Sequence, residues 1–265
     1  MMRTDEYLLD ERHTGTAEGC DAFAALFDPT TFRHLEALGV GPGWRCWEVG
    51  AGGDSSVVSW LARKVGPTGR VVATASDISR VAPAARPPVE TRVHDLGTQE
   101  PPGEGFDLVH ARLVPVHTPD LGRALRTMAR ALRPGGRLLV EDTDPELQPL
   151  LCPDEYGPEQ RLANRLRHAV RRLLADRGAG LAQGRRLPRL LREAGLSRVQ
   201  ADARFPIASP ACAALEAATI RRFRGPLVAA GLAGDQDIDD HLANIASGAM
   251  DLAAPPLISA WGRKP

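Results

Sequence analysis

The sequence predicts an α/β fold, a mostly parallel sheet of seven strands with helices on both faces and further helical segments inserted late in the chain. Three observations predict it. Strand-like and helix-like text alternates from Trp44 onward, and a glycine-rich turn, Gly50-Ala51-Gly52-Gly53, separates the first strand from its helix. A helix carrying Leu121, Leu125, Met128 and Leu132 at helical spacing stops at Arg133-Pro134-Gly135-Gly136 and turns directly into a buried strand.

In chain order, Phe23, Leu26 and Phe27 mark one helix and Phe32, Leu35 and Leu38 a second, which Gly39-Val40-Gly41-Pro42-Gly43 ends. WRCWEVG reads as a strand, SSVVSWLARKVG as a helix, and RVVATAS, TRVHDL, FDLVHA and RLLVED as later strands. Beyond Asp144 the alternation breaks. Residues 155–179 form an amphipathic helix with Leu162, Leu166, Val170 and Leu173 aligned, followed by LPRLLREAGL and the strand-like RVQADARFPI. Residues 209–254, largely helical in pattern, separate that strand from the last one, PPLISAWG. Two closing strands need only a short hairpin, so a long helical insertion there suggests a lid. Residues 1–43 are thus expected as a helical cover, 44–144 as the core, and 145–265 as the rest of the core with its lid insertions, all in one domain.

Charge gives little direction. The chain has 33 basic and 33 acidic residues in 265, so no net field draws it to nucleic acid or anionic lipid. The arginine-rich stretch from Arg161 to Arg198 is read as a solvated helix face. Cys20, Cys46, Cys152 and Cys212 never form the close pairs of zinc or redox sites, and His13, His34, His168 and His241 share no metal-like spacing, so no metal site is expected. The first residues, MMRTDEYLLDERHTG, carry charge where a signal peptide needs an apolar core, and no stretch approaches bilayer-spanning length. A cytoplasmic protein that meets a small-molecule substrate, neither nucleic acid nor membrane, is the expectation, with a homodimer or a companion biosynthetic protein left open.

A glycine turn after a first strand lets backbone approach a ligand closely and aims helix N–H groups at it. A dinucleotide fingerprint would place glycine at 55, where this chain has Ser55. The string E-V-G-A-G-G at 48–53, followed in order by FDLVHARLV, LRPGGRLLVED and a terminal PPLISAWG, resembles the class I S-adenosylmethionine (SAM) methyltransferases, particularly bacterial small-molecule enzymes. The resemblance spans nearly the whole chain and implies a Rossmann-like methyltransferase fold. It also implies that Glu48, Gly50, Ala51 and Gly52 line the methionine part of SAM, that Gly53 belongs to the same cofactor-binding loop, that Asp95 and Leu96 meet adenine, and that His110 and Arg112 follow the fourth strand at the pocket mouth.

Two departures stand out. The family pattern E-x-G-x-G-x-G has its last glycine where this chain has Asp54, a carboxylate beside the carboxylate of SAM. The acid that ends strand two and holds the ribose hydroxyls falls, counted from Gly69-Arg70-Val71-Val72, on Ala75. If Asp77-Ile78-Ser79 is the family's acid-led tripeptide, strand two is two residues longer and Asp77 faces the same side as position 75. A gapless match, which Val89 to Asp95 favours, removes the ribose acid.

Methyl transfer from a sulfonium requires alignment of the acceptor and, for a hydroxyl, removal of its proton. Such groups lie beyond the carboxyl ends of the strands. His117 in LVPVHTPD is the first candidate for the base, since an imidazole titrates near working pH. Glu141 and Asp142 at the end of strand five are the other catalytic candidates. Tyr7 would cap the cofactor from the N-terminal helix. The leading expectation is SAM-dependent methylation of a small natural-product-like molecule, with oxygen ranked ahead of nitrogen and carbon. The alternatives are a SAM-independent cyclisation or elimination on the same fold, and a non-catalytic partner subunit.

Overall fold

The computed structural model describes residues 17–51, 56–79, 81–114 and 120–265. Seven strands form one sheet: β1 Arg45–Val49, β2 Arg70–Ala75, β3 Val89–Val93, β4 Phe106–Arg112, β5 Leu132–Thr143, β6 Ser197–Arg204 and β7 Leu257–Arg263, in the order β3-β2-β1-β4-β5-β7-β6. β3, β2, β1, β4 and β5 pair in parallel. The helices are α1 Ala17–Ala37, α2 Ser56–Val65, α3 Leu121–Ala131, α4 Pro158–Asp176, α5 Leu187–Glu193, α6 Pro210–Ala229 and α7 Asp235–Ser247. The order reverses beside β1, and at such a point the parallel strands open a crevice at their carboxyl ends.

The chain divides into two compact units. One comprises residues 28–142, 183–203 and 258–265 and holds the body of the sheet. Its side chains alternate between two faces, as strand geometry demands. Trp47, Val49, Val109, Ala111, Leu138, Val140 and Ala260 pack with α3 and α5. Cys46, Leu108, Leu139 and Trp261 pack on the other face with α2 and with Leu35 of α1. Helices therefore cover both faces, as the alternating text requires.

The other unit contains residues 17–27, 143–182 and 204–257 within the described chain. The expected alignment of Leu162, Leu166, Val170 and Leu173 along α4 is present, and this stripe packs on Ile220, Phe223 and Leu227 of α6 and Ile238 of α7. Both long helices of the 209–254 insertion belong to this unit.

Two expected elements differ. The two N-terminal helices are one, with Pro29 inside it. Pro29 is exposed, while Thr30, Thr31, His34 and Leu35 on the neighbouring turns are buried. An internal proline removes one helix hydrogen bond, and packing on both sides of it holds the helix together. Strand β3 begins at Val89 and ends at Val93, so His94, Asp95 and Leu96 lie beyond it in the following turn.

Candidate functional site

The two-residue period carries the apolar rows of one sheet face into a polar cluster at the strand ends. Cys46 leads to Glu48, Leu108 to His110, Leu139 to Glu141, and Trp261 back to Ser259. Register joins them, because Glu48 pairs directly with His110 across β1 and β4, and Glu141 pairs with Arg112 across β4 and β5. His110 Nδ1 lies 2.7 Å from Glu48 Oε2, and its Nε2 lies 3.3 Å from Glu141 Oε2. The Thr31 hydroxyl donates to Glu141 Oε2 at 2.6 Å and the Ser259 hydroxyl to Oε1 at 2.6 Å. His34 Nδ1 stands 3.6 Å from Glu141 Oε1, and its Nε2 lies 2.9 Å from Asp202 Oδ2. Arg112 pairs with Asp28 at 2.7 Å and reaches the Thr31 hydroxyl at 3.2 Å.

These contacts set the charges. Burial by itself would lower the His110 pKa, but the Glu48 and Glu141 carboxylates outweigh it and raise the value to about 9. Burial by itself would raise that of Glu141, yet His110 and His34 hold its carboxyl well below the usual carboxylate range. His34 is likewise raised: Glu141 and Asp202 override the effect of its burial. At neutral pH His110 is an imidazolium beside an ionised Glu141.

The described site residues expected from the sequence lie at several places. Glu48, His110, Arg112 and Glu141 are brought together in this cluster. Gly50 and Ala51 form the turn beyond β1. Gly50 has φ +74°, where a side chain would be strained, and the Ala51 N–H donates to the Thr74 carbonyl at 2.9 Å. Asp77, Asp95 and Leu96 follow β2 and β3. Asp77 Oδ1 accepts from the Ser79 N–H at 2.9 Å, Asp95 accepts from the Gly97 N–H at 2.8 Å and the Thr98 hydroxyl at 2.6 Å, and Leu96 is buried in the core. Gly52, Gly53, Asp54, His117 and Tyr7 lie outside the described residues.

The expectation that Glu141 and Asp142 take a substrate proton meets two side chains with no solvent-exposed surface. The Glu141 oxygens are engaged by three donors, and such a carboxylate lacks the basicity and the reach of a general base. On strand two, β2 ends at Ala75, so the longer strand does not form, and Asp77 sits half-buried two residues past the end. Thr31, His34, Asp28 and Ser259 were not expected at the site. A threonine and a histidine three residues apart among the apolar positions of α1, and a serine inside LISAW, were the available signals.

Beyond the strand ends lie a turn at Gly50 with positive φ, the Asp77 carboxylate after β2 and the buried Leu96 after β3. Among the described residues, no group of three His, Cys, Asp or Glu side chains is placed to hold a metal ion, and no helix is long and apolar enough to cross a membrane.

Strand order, the glycine turn and the polar strand ends define a class I methyltransferase fold. The model of the methyltransferase domain matches residues 17–201, and the chain belongs to that family of enzymes. It is 32% identical over 137 residues to the methyltransferase GfsG of Streptomyces halstedii, covering 46% of each chain. It is 33% identical over 114 residues to the methyltransferase str2 of Strobilurus tenacellus, covering 42% of this chain and 40% of that one. The matched stretch thus spans less than half the length of these relatives. Among solved structures, the fold is similar to phosphoethanolamine N-methyltransferase 2 of Haemonchus contortus in complex with phosphomonomethylethanolamine and S-adenosylhomocysteine. The TM-score is 0.58 at 16% identity, over 97% of this chain and 59% of that one. It is also similar to the YcgJ protein of Bacillus subtilis, with TM-score 0.57 and 14% identity over 89% and 98% of the two chains.

Proposed function

We propose that this chain is a SAM-dependent methyltransferase acting on a small natural-product-like molecule, with a hydroxyl oxygen as the preferred acceptor. The observation that carries the reading is the convergence of Gly50, Asp77 and Leu96 at the carboxyl ends of three neighbouring parallel strands. On this reading Gly50 and Ala51 approach the methionine part, Asp77 holds the ribose hydroxyls, and Asp95 and Leu96 flank adenine. SAM, when bound, supplies an electrophilic methyl group on its sulfonium. The protein aligns the acceptor, excludes water and takes the hydroxyl proton; with Glu141 and Asp142 enclosed, that proton falls to His117. The reading carries with it a cytoplasmic setting and a small-molecule partner.

A second reading has one observation in its favour. The residue that ends β2 is alanine, so a chain without a ribose acid would perform ring closure or elimination without SAM. Calorimetry of the full chain with SAM separates the two. Micromolar binding supports methyl transfer, whereas no binding at millimolar ligand supports the SAM-independent reaction.

A further inference from the structure

We infer that His110 is a positioning residue that does not touch SAM: clamped as an imidazolium between Glu48 and Glu141, it holds the Glu48 carboxylate ionised and in one orientation for the amino-acid end of the cofactor. The inference rests on the SAM reading above and goes beyond it, since the sequence placed His110 at the pocket mouth. The structure puts it inside the sheet, with no exposed surface.

With both carboxyls ionised, the hydrogen-bond inventory calls for a charged ring. Both ring nitrogens face carboxylate oxygens, Nδ1 at 2.7 Å from Glu48 and Nε2 at 3.3 Å from Glu141. A neutral imidazole has one N–H, so one of the two carboxylates would face a lone pair. A doubly protonated ring donates to both. Glu141, in turn, is fixed by the Thr31 and Ser259 hydroxyls, so it acts as an anchor that keeps the ring from turning. Among the described residues, four charged groups stand near the ring. Glu48 faces it from β1 and Glu141 from β5. His34 of α1 stands behind Glu141 and is tied to Asp202, while Arg112 on the same strand is paired with Asp28. The elevated pKa of His110, about 9, agrees with the geometry. Glu48 is then a carboxylate with a built-in counter-ion, able to meet an ammonium group without first reorganising.

The test compares two probes on the full chain by calorimetry: S-adenosylhomocysteine, and 5′-methylthioadenosine, which has the same nucleoside and thioether but no amino-acid end. His110→Gln is expected to weaken the first by about tenfold or more and to leave the second within about twofold of wild type. Equal loss for both probes would mean a merely distorted pocket and would overturn the inference, as would no loss for either. Wild-type protein that binds neither probe would overturn the SAM reading instead. Should the variant not fold, nitrogen-15 NMR of the wild-type imidazole decides. Two protonated ring nitrogens at neutral pH are expected for His110, and a single neutral tautomer contradicts the clamp.

Discussion

Each unit of the molecule buries a cluster of histidine, acid and arginine, and the two clusters are built differently. At the strand ends, Glu48, His110, Glu141 and Ser259 occupy positions that β-sheet register dictates, and two hydroxyls complete the coordination of Glu141. In the helical unit, Arg167 of α4, Glu216 of α6 and His241 of α7 meet across three helices. His241 Nε2 lies 3.3 Å from Glu216, as far as His110 Nε2 lies from Glu141, Arg167 stands 3.7 Å from Glu216, and Arg167 also donates to the Ala253 carbonyl at 3.1 Å. Among the described residues, Arg167 Nε and His241 Nδ1 have no hydrogen-bond partner, and at the strand ends neither has His34 Nδ1. Backbone register sets which side chains face one another along the sheet, whereas contacts between helices depend on side-chain reach alone. A cofactor site belongs on the first kind of support.

The largest effect that would break this comparison is the loss of Glu141. Glu141→Ala leaves a buried imidazolium facing one carboxylate and two hydroxyls without an acceptor, and is expected to cost about 3–5 kcal/mol in urea unfolding. Glu216→Ala, in the helical cluster where Arg167 keeps the Ala253 carbonyl, is expected to cost about 1–3 kcal/mol. Equal losses would show that register confers no advantage.

A smaller effect comes from pH. The folded pKa of His110 lies above its ordinary 6.5, so the stability it contributes is fully present below about pH 6.5 and is lost as pH rises through about 9. The raised His34 acts in the same direction. Glu141, with its depressed value, has the opposite sign: its contribution is present above the ordinary carboxylate range and is lost only as pH falls below that range. Wild-type unfolding free energy is therefore expected to decline between about pH 6.5 and 9, and His110→Gln to flatten most of that decline. An unchanged slope in the variant would assign the effect to other groups. Least of all, the exposed i,i+4 pairs Arg189–Glu193 and Arg172–Asp176, one in each unit, should each change stability by less than about 0.5 kcal/mol when the arginine becomes alanine. A larger loss at either would mean that burial is not what separates the clusters.

The same contrast explains what could be read in advance. The strands and the helices covering them followed from periodicity, because Cys46, Trp47, Leu108 and Val109 alternate between faces and Leu121, Leu125 and Met128 recur at helical spacing. Glu48, His110 and Glu141 were each visible as polar residues at strand ends. Their mutual contact was not, since it depends on the pairing of Glu48 with His110, and a single strand does not specify its partner's register. Thr31 and His34 were not placed at the site because residues 23–27 and 32–38 read as two helices, which hid the turn that brings Thr31 and His34 to Glu141. Strand two went the other way. The text allowed β2 to reach Asp77, and the observed end at Ala75 leaves that carboxylate in the turn, capping the Ser79 N–H.

The central claim is that the carboxyl ends of β1 to β3 form a site for an adenosyl group, with Asp77 taking the ribose despite the alanine at 75. Calorimetric titration of S-adenosylhomocysteine into Asp77→Ala tests it most directly. Loss of two hydrogen bonds to a carboxylate predicts affinity at least about a hundredfold weaker than wild type. Undiminished affinity in that variant would contradict the account.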